Sequence, residues 1–279
     1  MIQKSYDKDN CLYLVPTPIG NFDDMTFRGV KVLESVDYVL CEDTRVTKVL
    51  LDHYGIKKKL VSCHEHNENI IKDKVLSDVK NGMAIALVTD QGSPIISDPG
   101  AKVVNYLANE GVNVIALPGA TAFVPAIMAS GIESNQFLFY GFLDSKASHR
   151  KKQLEELKKI KYPIVFYESV HRIKDSLNDI YSVFGNRTIS VSRELSKIHE
   201  EIFRGKLSEL LESNIIEKGE FVIFVEGNNE VYDYGDVSII EHVKIYLSDG
   251  YTEKDAIKLV AKDRNVKKSD IYKEYHTGK

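Results

Sequence analysis

The sequence has no long hydrophobic run, and this absence excludes several classes of protein. No stretch approaches the ~18 uninterrupted apolar residues of a transmembrane helix, and residues 1–10 are polar where a signal peptide carries an apolar segment. Cysteine is also scarce, because Cys11, Cys41 and Cys63 form an odd set without CxxC spacing. We therefore expect a soluble cytoplasmic protein with no membrane segment and with buried free thiols.

Positive charge is not in excess either. The net charge of −4 argues against a protein that coats nucleic acid non-specifically, because such binding relies on a surplus of lysine and arginine. The hydrophobic share of 43% is typical of a globular protein, and 279 residues exceed the usual size of one compact domain. We expect two α/β lobes, or one lobe with a smaller appendage.

Short apolar runs alternate with amphipathic segments through the first 118 residues. This alternation is the pattern of βαβ units, and it predicts a mostly parallel sheet covered on both faces. The runs occupy residues 12–15, 38–41, 60–62, 84–89 and 112–117, and a second series occupies residues 137–142, 163–167, 188–191 and 221–225. Thr26 and Thr44 stand where helix N-caps are expected.

The last part of the chain predicts helices. Residues 227–236 form a polar linker, and residues 237–279 then predict two or three short helices with a break at Arg264 and Asn265. Thr252 to Asp255 has the spacing of a capping box. The sequence therefore predicts an N-terminal α/β lobe at 1–120, a C-terminal α/β lobe at 121–230 and a helix-turn-helix-like module at 231–279.

Three loops rich in glycine and proline follow predicted strands of the first lobe. They are VPTPIGN at 15–21, TDQGSPIISDPG at 89–100 and LPGATA at 117–122. Because α/β sheets bind ligands beyond the carboxyl ends of their strands, these loops predict a ligand site at one edge of the sheet. Neither GxGxxG nor GxxxxGK[ST] occurs, so hydride-transferring and nucleotide-hydrolysing enzymes lose their main sequence support.

Polar clusters follow other predicted strands. EDTR at 42–45, YESVHR at 167–172 and RELSK at 193–197 fit either a substrate-facing site or a solvated turn. CHEHNE at 63–68 contains zinc-type ligands, but a structural zinc site needs four, and no second cluster supplies the remainder. We therefore expect no metal.

Basic residues are concentrated in two segments. Arg150, Lys151 and Lys152 belong to a basic run that extends from Lys146 to Lys161 and is interrupted by glutamates, so a salt-bridged exposed helix and a phosphate-contacting face are both open. The predicted helical module carries further lysines. These patches strengthen an RNA-binding interpretation only modestly.

The sequence contains, in this order, VPTPIGN, CEDTR, HEHNE, TDQGSPIISDPG, PGATA, GFL, YESVHR, RELSKIHEE and GEFVIFVEG. This ordered set resembles the motifs of the small-subunit ribosomal RNA methyltransferase I family, within the tetrapyrrole methylases. The resemblance covers about residues 12–227, and the helical tail is similar to the family's C-terminal module. It implies two α/β lobes with S-adenosylmethionine in the cleft between them, a homodimer, and methylation of a cytidine ribose 2′-oxygen near the decoding centre of 16S ribosomal RNA in the small ribosomal subunit.

The resemblance also implies which residues form the site. The residues implied for the cofactor cleft are Pro18, Ile19, Gly20, Gly92, Ser93, Pro94, Pro118, Gly119, Ala120, Thr121, Ala122, Tyr167 and Arg193. Those expected to face the RNA are Glu42, Arg45 and Arg172, together with Arg150, Lys151 and Lys152 of the basic run. Gln91 departs from the family pattern, in which alanine is usual, and adds bulk to the cofactor loop.

A ribose hydroxyl is a poor nucleophile until its proton is removed, so a carboxylate or histidine near it is expected to act as general base. The candidates are Asp43, His64, Glu65 and Asp98. Two other functions stay open: methylation of a corrin precursor, since the fold is shared, and a non-catalytic RNA-binding role in ribosome assembly.

Overall fold

The computed structural model describes residues 3, 11–133, 135–213, 215–228, 237–248 and 250–277. The chain divides into two compact units, Met1–Asn228 and Asn229–Lys279. The first unit holds two five-stranded sheets, within residues 11–116 and 138–225, and the lobe boundary near residue 120 remains our proposal. The linker predicted at residues 227–236 lies mostly outside the described residues.

The elements follow the chain in three groups. The first group is β1 (Cys11–Leu14), α1 (Phe27–Ser35), β2 (Tyr38–Cys41), α2 (Thr44–His53), β3 (Lys59–Ser62), α3 (Glu68–Lys80), β4 (Ile85–Leu87), α4 (Ala101–Asn109) and β5 (Asn113–Ala116). The second is α5 (Phe123–Ser130), β6 (Leu138–Phe142), α6 (Ala147–Leu157), β7 (Ile164–Ser169), α7 (Ile173–Phe184), β8 (Thr188–Arg193), β9 (Glu201–Lys206), α8 (Leu207–Glu212) and β10 (Glu220–Val225). The third is α9 (Ile239–Ser248), α10 (Glu253–Asp263) and α11 (Lys268–Thr277).

The first sheet has the order β3-β2-β4-β1-β5, and every pair in it is parallel. Leu12 and Leu14 of β1 belong to a core cluster that includes α3 and α4, whereas Cys11 and Val15 belong to a cluster that includes α1 and α2. The prediction of a parallel sheet covered on both faces is confirmed. All three cysteines are buried, and none forms a disulfide.

The second sheet is mixed, with the order β6-β7-β10-β8-β9. Only β6 and β7 are parallel, and the other neighbours are antiparallel. One face packs against α6, α7 and α8, and the other against α5. Strand β9 was not predicted from the sequence, because it is a partly exposed edge strand whose residues lack a clear apolar run.

Helices α9, α10 and α11 pack around a core of their own, which includes Val243, Ile257 and Ile271. The Thr252 hydroxyl caps α10 by accepting a hydrogen bond from the Asp255 N–H, as its spacing predicts. No helix in the described ranges is long and apolar enough to span a membrane.

The two N-cap predictions in the first lobe had different outcomes. Thr26 caps α1 through a 3.0 Å hydrogen bond from the Gly29 N–H, as expected. Thr44 does not cap α2, because the helix begins at Thr44 and the cap is Asp43, whose carboxylate accepts the Arg45 N–H at 2.8 Å.

The basic run forms α6, and the structure corrects one of its predicted roles. Arg150 is 3% exposed, and its guanidinium donates to the Asp179 carboxylate of α7 at 2.6 and 2.7 Å. It is therefore not available to RNA phosphate. Lys151 is exposed but lies 3.3 Å from Asp179, and Lys152 faces solvent.

Replacing Arg150 with methionine should lower the free energy of unfolding by about 3 kcal/mol, because the buried Asp179 would lose its main counter-charge. Lys152→Met on the same helix is the matched control, and its effect should stay within about 0.5 kcal/mol. Urea unfolding followed by circular dichroism measures both, and equal stability of the two variants would contradict the structural role of Arg150.

Candidate functional site

The carboxyl ends of the first sheet bring the predicted loops together. Thr17, after β1, and Gly92, after β4, exchange two backbone hydrogen bonds of 2.8 and 3.0 Å. The Thr17 hydroxyl also donates to the Thr89 carbonyl at 3.1 Å, and the Ser93 hydroxyl donates to the Ala120 carbonyl at 2.9 Å. The loops after β1, β4 and β5 are therefore joined into one edge.

A cavity of about 410 Å³ lies between this edge and the second sheet. It is lined by residues of both: Ile19, Asp90, Gln91, Gly92, Ser93, Ile96, Ser97, Asp98, Thr121, Ala122, Phe142, Tyr167, Glu168, Ser169, Leu195, Glu220, Phe221 and Val222. A second cavity of about 380 Å³ shares Ile19, Thr121 and Leu195 with the first, and Gly119 and Ala120 also line it.

Not every residue predicted for the cofactor cleft lines these cavities. Ile19, Gly92, Ser93, Thr121, Ala122 and Tyr167 line the larger one, and Gly119 and Ala120 line the smaller one. Pro18, Gly20, Pro94 and Pro118 line neither, although they belong to the same loops. Arg193 is also outside both cavities, and its place in the cofactor cleft stays a prediction. Its guanidinium lies 2.9 Å from Glu201 and donates to the His199 and Lys218 carbonyls.

The loops after β4 and β5 have backbone conformations or close contacts that few residues other than glycine tolerate. Gly92 has a φ of +87°, and within the same loop Ile95 and Ser97 also have positive φ values although they carry side chains. Gly119 has no room for a side chain, because a Cβ there would lie 2.6 Å from Cβ of Pro16. Strained backbone of this kind costs about 1–3 kcal/mol per residue and is common at ligand sites.

Three carboxylates stand around Thr89 at the ends of β2 and β4. Burial raises the pKa of Asp98 to about 6, and the nearby charges of Glu42 and Asp90 add to the shift, whereas the Thr89 hydroxyl opposes it. Burial also raises the pKa of Glu42 and of Asp90. Asp98 and Asp90 line the larger cavity, whereas Glu42 does not, so two of the three carboxylates face the space in which a ligand would lie.

Asp43 lies beside this cluster but has a different environment. It caps α2, and hydrogen bonds from the Arg45 side chain and backbone lower the pKa of its carboxyl to about 2. A carboxylate held in this way is a weak base, which argues against Asp43 as the proton acceptor. The Arg45 guanidinium is 2.6 Å from Asp43, yet 88% of its side chain is exposed.

The turn after β3 places His64 and Glu65 near the same edge but outside both cavities. His64 is partly buried and its backbone N–H donates to Asn67, while Glu65 is exposed. The sequence missed the role of Glu68, which is buried and accepts a hydrogen bond from the Gly100 N–H at the end of the 89–100 loop. Glu68 therefore ties α3 to the loop that carries Asp98.

Tyr167 of β7 reaches the first lobe from the other side of the cavity. Burial raises the pKa of its hydroxyl, and the neighbouring Thr121 side chain opposes this shift. The next residue, Glu168, is buried and lies 3.1 Å from the Arg172 guanidinium and 2.5 Å from the Ser176 hydroxyl. Arg172, predicted to face RNA, is thus held by Glu168.

Leu195, Phe142 and Val222 also line the cavity, and the sequence included them in RELSK, GFL and GEFVIFVEG without assigning a role to the apolar side chains. Nothing in an apolar residue's identity shows whether it faces a core or a cleft.

Within the described ranges, no group of three or more His, Cys, Asp or Glu side chains is placed to hold a metal ion.

The two-lobed architecture matches that of a known methyltransferase structure. Uroporphyrin-III-C-methyltransferase from Thermus thermophilus superposes with a TM-score of 0.53 over 78% of this chain and 94% of that chain, at 18% identity. At this identity the similarity establishes the fold alone. Residues 11–211 match the family model of tetrapyrrole (corrin/porphyrin) methylases.

Curated relatives match over nearly the whole chain. Proteins named ribosomal RNA small subunit methyltransferase I are 46% identical in Halalkalibacterium halodurans, 48% in Bacillus subtilis and 37% in Escherichia coli O157:H7. The matches cover 98, 95 and 97% of this chain and 98, 94 and 96% of the relatives. The chain belongs to the tetrapyrrole methylase family and, within it, to the ribosomal RNA small subunit methyltransferase I family.

The environment of Asp98 has a measurable effect on stability. Because folding raises the pKa of Asp98 from about 4 to about 6, its ionisation is less favourable in the folded state, so stability falls as pH rises from about 4 to about 6. Asp98→Asn should therefore raise the unfolding free energy at pH 7.5 by about 2 kcal/mol, and this gain should vanish below pH 4.

Urea unfolding at pH 4, 6 and 7.5 measures this difference. Asp52→Asn on the exposed side of α2 controls for the loss of a carboxylate and should change stability by less than about 0.5 kcal/mol. A destabilised Asp98→Asn variant at pH 7.5 would refute the raised pKa.

Proposed function

We propose that this protein transfers a methyl group from S-adenosylmethionine to the ribose 2′-oxygen of a cytidine in 16S ribosomal RNA, near the decoding centre of the small subunit. The observation that carries the proposal is the cavity bounded by the loops of the first sheet and by β7 and β10, with Asp98 in its wall. The names of the full-length relatives support ribosomal RNA as the substrate. We further propose a homodimer in the cytoplasm.

The cavity fits the proposed cofactor in size and chemistry. A volume of about 410 Å³ lies within the range of small-molecule sites. Ile19 and Leu195 offer apolar walls, and Ser97 and Thr121 offer polar groups. When bound, S-adenosylmethionine supplies an activated methyl group on a sulfonium, so the task left to these residues is to hold the acceptor oxygen in line.

Asp98 is our choice for the proton acceptor. Its raised pKa of about 6 makes it a stronger base than an ordinary aspartate while it stays mostly ionised at neutral pH. Asp43 has a pKa of about 2, and His64 and Glu65 do not line the cavity. Asp98 would accept the 2′-hydroxyl proton as the methyl group is transferred, with Glu42 and Asp90 as its charged neighbours.

The RNA itself needs cationic contacts outside the carboxylate-lined cavity. Arg45 stands exposed at the start of α2, and Lys152 is exposed on α6. The described helical module adds exposed lysines, which are Lys244, Lys254, Lys258, Lys262, Lys267, Lys268 and Lys273. Because the whole chain is acidic, we propose that these local patches position a folded RNA surface by its shape and phosphates.

Methylation of a corrin precursor is the weaker alternative. It is supported by the structural match at 18% identity, whereas the relatives at 37–48% identity are named for ribosomal RNA and match the helical module as well. A silent assembly factor is also disfavoured, because the cofactor-type loops are joined and the cavity is formed.

Transfer of labelled methyl from S-adenosylmethionine to small subunits that lack the modification tests the proposal. We expect label in the RNA, at a single cytidine ribose in the decoding region after nuclease mapping. Small subunits that already carry the modification are the control and should take up no label. Label on a base, on protein or on an added corrin precursor instead would refute the proposal.

The pH dependence of single-turnover transfer tests the role of Asp98. The wild-type rate should rise with pH and level off above about 6, as Asp98 loses its proton. Asp98→Asn should lower the rate about 10²-fold or more and abolish this limb of the profile. Asp43→Asn is the comparison variant, and retention of the same pH limb by Asp98→Asn would exclude Asp98 as the base.

A further inference from the structure

Strand β6 contains a β-bulge that decides which face of the second sheet its last residue occupies. The register with β7 shifts between Phe139 and Gly141, after which Phe142 pairs with Tyr167. Successive side chains of a strand point to opposite faces, so in an unbroken strand Phe142 would share the core-facing side of Tyr140. The extra residue places it instead on the side of Tyr167, which faces the cavity.

The ring of Phe142 is consequently presented to the cavity rather than packed in the core. It is 47% exposed and lines the cavity together with Ile96, which is 40% exposed. The Tyr167 ring supports it from one side, with centroids 5.6 Å apart and planes at 64°. At the bulge, Gly141 has a φ of +83°, and a Cβ there would lie 3.2 Å from the Ser97 hydroxyl. The loop at residues 89–100 therefore packs closely against the bulge.

We propose that Phe142 is a stacking platform for the nucleobase of the RNA substrate at the open side of the cleft. Proteins recognise RNA by stacking unpaired bases on aromatic side chains, and an enzyme that acts on one nucleotide gains access by turning it out of its stack. The assignment of the base to RNA rests on the proposed function. The observation of an exposed ring at the cavity is independent of that function.

Exposure and charge favour a base over the phosphate backbone at this position. Phe142 and Ile96 are 47% and 40% exposed, so this part of the cavity wall is open to solvent, from which a base turned out of its stack enters. The carboxylates of Asp90 and Asp98 line the same cavity and repel phosphate. A neutral base with its attached ribose therefore fits here, and the backbone phosphates lie outside.

Methyl transfer with varied RNA concentration is the first test. Phe142→Leu keeps apolar bulk without a ring and should lower kcat/KM for RNA about tenfold, mainly through KM, whereas Phe142→Trp should restore near wild-type values. The dissociation constant for S-adenosylmethionine should change less than about twofold. Tyr162→Leu removes a ring of similar exposure outside the cavity lining. This variant should leave kcat/KM and KM for RNA and the dissociation constant for S-adenosylmethionine unchanged.

A second measurement does not depend on turnover. A short single-stranded RNA with 2-aminopurine at one position is titrated with enzyme and S-adenosylhomocysteine, and stacking on Phe142 should quench its fluorescence. The wild type and Phe142→Trp should quench, and Phe142→Leu should not. Quenching through Phe142 by an enzyme that methylates no ribosomal RNA would uphold the base site and refute the proposed function.

Three results would overturn the base site. One is a kcat/KM for Phe142→Leu equal to that of the wild type. Another is a loss of S-adenosylmethionine affinity that accounts for the whole effect, since the ring would then serve the cofactor's adenine. The third is 2-aminopurine fluorescence that the wild type does not quench, or that Phe142→Leu quenches equally.

Discussion

The two hydrogen bonds exchanged between Thr17 and Gly92 are the interaction on which the site depends. A parallel sheet places the ends of all its strands at one edge, but the loops that follow remain separate unless something joins them. Here the loop after β4 is fixed to the loop after β1 by this pair and to the segment after β5 by Ser93, and Glu68 holds its far end at Gly100. Asp98 has a defined position because both ends of its loop are fixed.

The cleft combines groups that would not be placed together for stability alone. Glu42, Asp90 and Asp98 are like-charged, and burial disfavours the ionised form of each. Positive φ values at Ile95 and Ser97 add backbone strain in the same loop. The cores on both faces of the first sheet offset this cost, so the strained loop stands on a rigid support.

Much of the fold could be predicted because its determinants are local. Alternating apolar runs located the parallel sheet, and glycine and proline located the loops at its edge. Strand β9 was not predicted because an exposed edge strand has no buried face that would produce an apolar pattern.

Arg150 was misplaced for a different reason: its partner, Asp179, lies on another helix, and no local pattern reveals a buried ion pair of that kind. The contacts of Arg193 with Glu201 and with the His199 and Lys218 carbonyls likewise depend on the fold, and no local pattern predicts them. Asp43 and Asp98 are chemically identical, and only their surroundings distinguish the helix cap from the proposed base.

The bulge in β6 makes the length of that strand as informative as its composition. Removing one residue between Phe139 and Phe142 would leave the amino-acid composition of the strand almost unchanged. It would nevertheless move each later side chain of the strand to the opposite face of the sheet. Between relatives, a single-residue gap at this point would therefore mark a change in what the cleft presents to its ligand, whereas a conservative substitution would not.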